Sequence, residues 1–232
     1  MSLLTVVQNA MVLTGLPSPS SVFSSTNDTV VQMKALLYKE GRELIREHDW
    51  NKSITVESLT CGASNAQTGY PVSGFARMAD HTDVWNATKK QKIEGPANSG
   101  DWRDLITRTA VAYPQYWRLI NGVLNIYPPT SGDTITYEYV SKKWIYQAAG
   151  ATLYETLAGD TDTFLFSEDL LEQGLVWRFK QAKQLDYAED LRTYEIIMEQ
   201  EKKHDRGGAK VISTSMAGRE RPFRTWPGTV TP

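Results

Sequence analysis

The apolar positions near the start of the chain recur at helical spacing in two stretches. Ser2 is a suitable N-cap residue, and apolar residues follow over residues 3–14 until Gly15 interrupts the pattern. A Pro/Ser-rich linker leads to a second start signal at residues 26–28. Apolar residues then recur every three or four positions to about His48. The pattern predicts two N-terminal helices.

The middle of the chain, about residues 51–145, changes to the alternating pattern of strands. Residues 53–57 and 134–140 alternate between apolar and polar side chains. A hairpin is indicated around Asn121-Gly122, because this pair readily adopts the positive φ angles of a type I′ turn. We expect a small antiparallel β region with one short helix near residues 101–107.

The third part of the chain, residues 146–206, is predicted to be helical again. Ser167 is a suitable N-cap residue, with acidic residues in the first turn where the helix dipole favours them. Asp186 followed by Glu189 is typical of a capping box that starts another helix. The two helices should fold back on each other as a hairpin.

These patterns predict an α+β fold: mainly a helical bundle built from both chain ends, with an inserted small antiparallel β region and an extended C-terminal tail. The predicted division is residues 1–50 and 146–206 for the bundle, 51–145 for the insertion and 207–232 for the tail. The tail holds few apolar residues and several helix breakers, so it cannot form a core of its own.

Composition excludes several classes of protein. The 232 residues include 25 basic and 27 acidic side chains, which argues against a strongly basic nucleic-acid binder. A single cysteine, Cys61, excludes a disulfide framework and a CxxC zinc site. No apolar run approaches the length of a membrane span, and the N-terminus lacks the pattern of a signal peptide. We therefore expect a protein that is intracellular or part of a particle assembled inside a cell.

The near-neutral total conceals an uneven distribution of charge. Residues 160–201 hold eleven acidic and four basic residues, a net charge of −7. Residues 202–232 hold seven basic and two acidic residues, a net charge of +5. An acidic helical arm is thus followed by a basic tail, which ends in arginine and aromatic residues of the kind that anchor interfaces.

Three sequence features carry possible chemistry. Asp160 and Asp162 could bind Ca²⁺ or Mg²⁺, but the acids that follow are suited to a helix start, so loop or cap roles are favoured. His81 could act as a general base, yet no nucleophile motif accompanies it, which favours a surface histidine. Lys89–Lys92 beside Trp85 could contact nucleic acid, although a solvated strand edge is favoured. No pair of acidic residues stands out as a glycosidase site.

Three groups of segments carry a resemblance to one family through their order and spacing. The first is Leu3–Val7, the Pro/Ser linker and Glu40–Leu44 with Trp50, and the second is Tyr139–Lys142 with Trp144. The third runs from Asp160 to Asp190. Together they cover about four-fifths of the chain and resemble the head–tail connector (adaptor) proteins of tailed bacteriophages. We call the residues that carry the resemblance the signature residues: Gly41, Trp50, Trp144, Asp160, Asp162, Leu171, Gly174, Trp177, Arg178, Asp186 and Tyr187.

The resemblance implies a structural virion protein, without catalytic residues, metal or cofactor, that forms a ring beneath the portal. Its partners would be the portal protein, neighbouring copies in a ring of typically twelve, and the next tail (nozzle or tail-tube) protein. Genome DNA would pass through the channel without sequence recognition, and no membrane would be involved. The protein would be assembled in the host bacterial cytoplasm and lie at the head–tail junction. A stopper or other tail-completion ring is the nearest alternative, followed by a DNA-binding or glycan-hydrolysing virion protein.

Two more specific hypotheses follow for the charged segments. Aromatic and arginine side chains of the tail would anchor the protein to the portal: Arg219, Arg221, Phe223, Arg224 and Trp226. Part of the acidic arm would face the channel, where like charge repels DNA phosphates and keeps the DNA sliding. Within the second helix, Gly41 suggests close packing against a neighbouring helix, because glycine costs about 1 kcal/mol relative to alanine there.

Overall fold

The computed structural model describes residues 2–80, 82–107 and 114–205. Among them are five α-helices: Leu3–Leu13 (α1), Asp28–Glu47 (α2), Ser99–Thr107 (α3), Glu168–Ala182 (α4) and Ala188–Asp205 (α5). The same residues form ten β-strands: Ile54–Thr60 (β1), Phe75–Met78 (β2), Val84–Asn86 (β3), Gln91–Ile93 (β4), Tyr116–Ile120 (β5), Val123–Tyr127 (β6), Thr134–Ser141 (β7), Ile145–Tyr146 (β8), Leu153–Tyr154 (β9) and Thr163–Phe164 (β10).

The balance of helix and strand differs from the predicted one. Of the residues that the structure describes, 40% are helical and 22% are in strands, and these strands form three sheets, which makes a mixed α/β fold. The prediction of a mainly helical bundle with a small β region is wrong. Strands β3 and β4 have three residues each, and β8 to β10 have two each. Such strands are too short for alternation to be visible in the sequence, because only tertiary contact with partner strands defines them.

Both N-terminal helices begin where the sequence predicts, and their caps explain why. The Ser2 hydroxyl accepts a hydrogen bond from the Thr5 N–H at 3.3 Å. The Asn27 side chain accepts one from the Thr29 N–H at 2.9 Å. Each bond satisfies one of the backbone donors that the first turn of a helix leaves without a partner. The predicted helix starts are therefore confirmed.

Helix α4 is the centre of the helical part, where it contacts α1, α2 and α5. Helices α4 and α5 form the predicted hairpin, and the Lys180 ammonium lies 2.6 Å from the Asp190 carboxylate across it. We call the apolar cluster around α4 the helical core. Apart from Ala79, it is drawn from residues 3–50 and 140–198. Both ends of the described chain therefore meet in one core.

The β region has an apolar cluster of its own, the β-region core, whose members lie between Leu59 and Tyr139. Its main sheet is antiparallel with strand order β1-β7-β3-β4, and β2 also pairs with β7. Strands β5 and β6 form the predicted hairpin, with φ of 51° at Asn121 and 74° at Gly122. These positive angles are those of the predicted type I′ turn, so this prediction is confirmed.

The third sheet, β10-β8-β9, packs against the helical core. The carbonyl of Trp144, just before β8, accepts the Leu165 N–H at 3.0 Å, and the Trp144 N–H donates to the Tyr154 carbonyl at 3.1 Å. The division at residues 50, 145 and 206 stays a prediction. Within the described ranges, no helix is long and apolar enough to cross a bilayer.

Candidate functional site

The carboxylate of Asp160 holds the linker between α1 and α2. It accepts hydrogen bonds from the N–H groups of Val22 at 2.9 Å and Phe23 at 2.7 Å, and from the Ser21 hydroxyl at 2.6 Å. Burial alone would raise the pKa of Asp160, but these three donors together hold it below the ordinary value of 3.8. The carboxylate therefore ties the Pro/Ser-rich linker to the loop before α4.

The carboxylate of Asp162 likewise accepts backbone hydrogen bonds, within the segment that precedes α4. Its buried carboxylate accepts the N–H groups of Ala158 at 2.5 Å, Gly159 at 3.0 Å and Ala148 at 3.2 Å. The carboxylates of both signature aspartates thus accept hydrogen bonds from groups of the chain. Among the residues that the structure describes, no group of three or more His, Cys, Asp or Glu side chains could hold a metal ion.

The backbone of the same loop caps α1. The Asp162 carbonyl accepts the Leu3 N–H at 2.7 Å, and the Asp160 carbonyl accepts the Leu4 N–H at 3.2 Å. These are donors that the first turn of a helix cannot satisfy internally. Two signature residues from the C-terminal half therefore fix the position of the first helix.

Gly41 lies directly against the indole ring of Trp144 in the helical core. A Cβ at residue 41 would collide with the indole ring of Trp144, so only glycine lets the ring lie against α2. The indole is fully buried, stacks on Phe164 at 5.4 Å and meets the edge of Tyr38 at 6.2 Å. The close approach at Gly41 is thus to a tryptophan side chain, and the expectation of a neighbouring helix there is wrong.

Trp50 closes the same core from the C-terminal end of α2. Its indole N–H donates to the Leu44 carbonyl at 2.8 Å. Its ring contacts Phe166 at 5.5 Å and His48 at 4.9 Å. This hydrogen bond gives a partner both to one of the last carbonyls of α2 and to the N–H of the buried indole.

A buried ion-pair network joins α2, α4 and α5. The fully buried Glu40 carboxylate accepts the Arg178 Nε–H, and the Tyr194 hydroxyl donates to it at 2.5 Å. Arg178 also donates to Glu43 at 2.5 Å, and its guanidinium lies 4.5 Å from the centre of the Trp177 ring. The arginine therefore satisfies two acids of α2 while it stacks on its own neighbour.

The protonation of this network follows from its burial. Burial raises the pKa of Glu40 above the ordinary value of 4.5, although Arg178 and the Tyr194 hydroxyl both favour the ionised form. Burial and the neighbouring Glu40 carboxylate also raise the pKa of Tyr194. The tyrosine therefore remains a hydrogen-bond donor to the acid at neutral pH.

Gly174 makes room for the network. A Cβ at residue 174 would lie 2.8 Å from the Cδ atom of Glu40, closer than real Cβ contacts. Leu171, one turn earlier in α4, is fully buried in the helical core. These two signature residues set the distance between α2 and α4, and so bring Arg178 within reach of Glu40.

The turn between α4 and α5 places the last signature residues. Tyr187 lies against Trp177 with ring centres 6.5 Å apart, and the Asp186 carboxylate accepts the Ala188 N–H at 3.3 Å. The side chain of Glu189 is 83% exposed and lies 3.9 Å from Arg192. The predicted capping box is therefore wrong, because Glu189 points outward instead of returning to the helix start. Ser167 precedes α4 as predicted but caps no backbone N–H.

Lysines of the β3–β4 hairpin are held by acids. Lys92 lies 2.6 Å from Asp83, and Lys89 lies 3.1 Å from Asp133. The positive run thus neutralises nearby carboxylates at a strand edge. His81 lies outside the described residues, and so do the five tail residues from Arg219 to Trp226 that the sequence assigns to portal binding.

Sequence reasoning missed the importance of Glu40. A signal for it exists, because Glu40 occupies a core position in the helical repeat of Met33, Leu37 and Leu44. An acid on the buried stripe of a helix needs a cationic partner. Which cation supplies it, Arg178, depends on how α4 lies against α2.

No family model matches the chain, and neither does any curated protein.

Proposed function

We propose that this protein is a structural subunit of the head–tail junction of a tailed bacteriophage, an adaptor that forms a ring beneath the portal. One observation carries the proposal beyond the resemblance itself. Segments that resemble the family but lie far apart in the sequence contact one another in the folded chain. Gly41 meets Trp144, Arg178 bonds to Glu40, and Asp160 holds the linker after α1.

The physical character of these contacts suits a part that bears load. A ring subunit between a capsid and a tail has to keep its shape while DNA passes at high pressure. The buried Glu40–Arg178 pair and the Tyr194 hydroxyl link three helices, and the two glycines admit only one packing distance. Both features resist sliding of the helices. The signature residues thus form a rigid helical wedge, and the β region is available for contacts with other virion proteins.

The remaining expectations belong to the same proposal. The basic tail, with Arg219, Arg221, Phe223, Arg224 and Trp226, docks on the portal, and the protein acts without catalysis, metal or cofactor. Acids of residues 160–201 would face the channel, but Asp160, Asp162 and Asp190 are engaged by other groups of the chain. Asp169 and Glu189, whose side chains are exposed, are therefore candidates for a channel wall.

Light scattering after size-exclusion chromatography tests the proposal. The full-length protein is measured alone and mixed with the purified portal ring of the same virus. We expect a complex whose mass corresponds to one adaptor for each portal subunit. A protein that leaves the portal unchanged would contradict the proposal, and a complex with the purified tail ring alone would favour a stopper position.

The role of the tail is tested on the same complex. Replacing Arg219, Arg221 and Arg224 by alanine should weaken binding to the portal by about tenfold or more, because truncated interface arginines are often hot spots. The matched control replaces three exposed cations elsewhere, Lys52, Lys90 and Arg103. Equal binding by both variants would show that the tail docks on something other than the portal.

A further inference from the structure

A groove of about 380 Å³ lies between α2 and the β region, and its charge is strongly positive. Two of its lining residues are apolar, Ile45 and Ala76. The other lining residues are four cations and one acid: Arg42, Arg46, Arg77, Lys142 and Glu155. Such a mainly cationic groove fits a partner with an acidic surface.

Most of this positive charge lacks a counter-charge within the chain. Arg77 is satisfied, since it donates to the Ile45 carbonyl at 2.8 Å and pairs with Asp49. Across the described ranges, the side chains of Arg42, Arg46 and Lys142 make no hydrogen bond or ion pair. Like charges one helical turn apart repel each other. An anionic partner would relieve that repulsion.

The groove and α5 lie against different faces of α2. Glu43 and Glu47 point towards α4 and α5, where they bond to Arg178 and Lys202 at 2.5 Å and 2.8 Å. Successive residues of a helix are rotated by about 100°, so Arg42 and Arg46 project about 100° away from that face. The groove and the exposed face of α5 are therefore separate surfaces of the subunit.

The outer face of α5 carries a surface that matches the groove. Glu195 and Glu199 are exposed and one helical turn apart, as Arg42 and Arg46 are on α2. Ile196, beside them, is 51% exposed and adds an apolar side chain to this surface. We call these three residues the acidic step. Basic residues bound it, since Arg192 precedes it and Lys203 follows it, so the acidic part is about one turn long.

We propose that the acidic step of one copy docks into the groove of the next, with Glu195 and Glu199 facing Arg42, Arg46 and Lys142, and Ile196 facing Ala76. The inference rests on the proposed function, because it names the contact between ring subunits. The two surfaces differ, because one lies beside α2 and the other lies on α5. A repeated contact of this type is heterologous and closes into a ring when the rotation is right.

Nucleic acid is the other polyanion that a basic groove could bind. The half-buried Ala76 in the lining favours a protein partner, because a phosphate backbone offers no apolar group to cover it. The equal spacing of the two acids and the two arginines favours the same partner. Binding of DNA to the groove is thus an outcome of the test, and it would overturn the proposal.

Exchanging the charges tests the contact directly. The variant R42E/R46E has an acidic groove, and E195R/E199R has a basic α5 face. Each variant alone should self-associate at least about tenfold more weakly than the natural protein, because like charges then face each other. An equimolar mixture should recover association, because every groove again meets an opposite charge. Sedimentation velocity of the full chain, with and without the portal ring, measures both effects.

The control K90E/R103E reverses two exposed cations outside the groove and should associate like the natural protein. All six positions are exposed, and thermal melts should therefore be almost unchanged. A mixture that remains as dissociated as its two components would overturn the proposal. So would a loss of affinity for a 30-base-pair duplex in R42E/R46E with self-association intact.

Carbodiimide crosslinking identifies the contact residues. This reagent joins a lysine to a carboxylate only when the two are in direct contact. In a mixture of ¹⁴N- and ¹⁵N-labelled protein, we expect crosslinks of Lys142 to Glu195 or Glu199 that combine both isotopes. Their absence, both in free protein and on the portal, would overturn the inference.

The two proposals fail in distinguishable ways. A protein that joins the portal without these mixed crosslinks retains the proposed function and loses the inferred contact. A protein that ignores the portal but gives the mixed crosslinks, and recovers association in the charge-swapped mixture, retains the contact and loses the proposed function.

Discussion

Two buried carboxylates, one in each part of the molecule, show opposite behaviour. Glu40 lies in the helical core, and burial raises its pKa above 4.5. Asp133 directly precedes β7, and its pKa is lowered below 3.8, first by the hydrogen bond from Asn86 and also by Thr130 and Lys89. The Asn86 amide donates to Asp133 at 2.7 Å, and the Lys89 ammonium is 3.1 Å away.

The difference comes from what surrounds each acid. The Glu40 side chain has no exposed surface. The free energy of removing its charge from water therefore exceeds the stabilisation that Arg178 and Tyr194 give to that charge. The Asp133 side chain keeps 13% of its surface exposed, so hydrogen bonds decide the direction of its shift. Asp133 ties a strand end to a neighbouring turn, whereas Glu40 fixes the spacing of three helices. Within the described chain, the β-region core contains no signature residue.

Breaking the Glu40 network should have the largest effect. Arg178→Leu leaves Glu40 buried without its cation and should lower the free energy of unfolding by about 3–5 kcal/mol. Urea unfolding measures the change. The control Arg192→Leu alters an arginine whose side chain is 73% exposed, and should change the stability by less than about 0.5 kcal/mol. Similar losses in both variants would mean that the network does not hold the helices.

Adding a methyl group at Gly41 should lower the stability by a smaller amount. Gly41→Ala forces Trp144 to move and should destabilise by about 1–3 kcal/mol despite the better helix propensity. Gly100→Ala, in exposed helix α3, meets only a side-chain atom of Asn98 at 3.4 Å. There the alanine should be neutral or should stabilise by up to about 1 kcal/mol. Stabilisation by both substitutions in thermal melts would contradict the close packing at Gly41.

The pH dependence of stability sharpens the comparison and is the smallest effect. Asp133 has a lowered pKa, so its contribution is present above 3.8 and is lost as the pH falls through its folded pKa. Glu40 has a raised pKa, so its contribution is present below 4.5 and is lost as the pH rises through its folded pKa. Urea unfolding between about pH 3 and 7 should therefore show that D133N and E40Q change the slope in opposite directions. Slopes that change in the same direction would contradict the opposite pKa shifts of Asp133 and Glu40.

Local signals in the sequence were sufficient for the elements whose ends are chemically marked. Ser2 and Asn27 cap the first two helices, and Asn121-Gly122 closes the hairpin, because each acts on groups within a few residues. Ser167 and Glu189 show the limit of such signals. Both have the right type and position for caps, yet neither bonds to the helix start that it was expected to cap.

The sequence by itself determined the order of the main elements, the apolar stripes of the helices and the uneven distribution of charge, since all three depend on neighbours along the chain. Only the tertiary structure decided the short strands β8 to β10, the partner of Glu40 and the tryptophan that lies against Gly41. The two contacts join residues far apart in the chain, and the strands are too short to show a pattern of their own. Their energy comes from burial and hydrogen bonding between surfaces that meet only when the helices and sheets pack together.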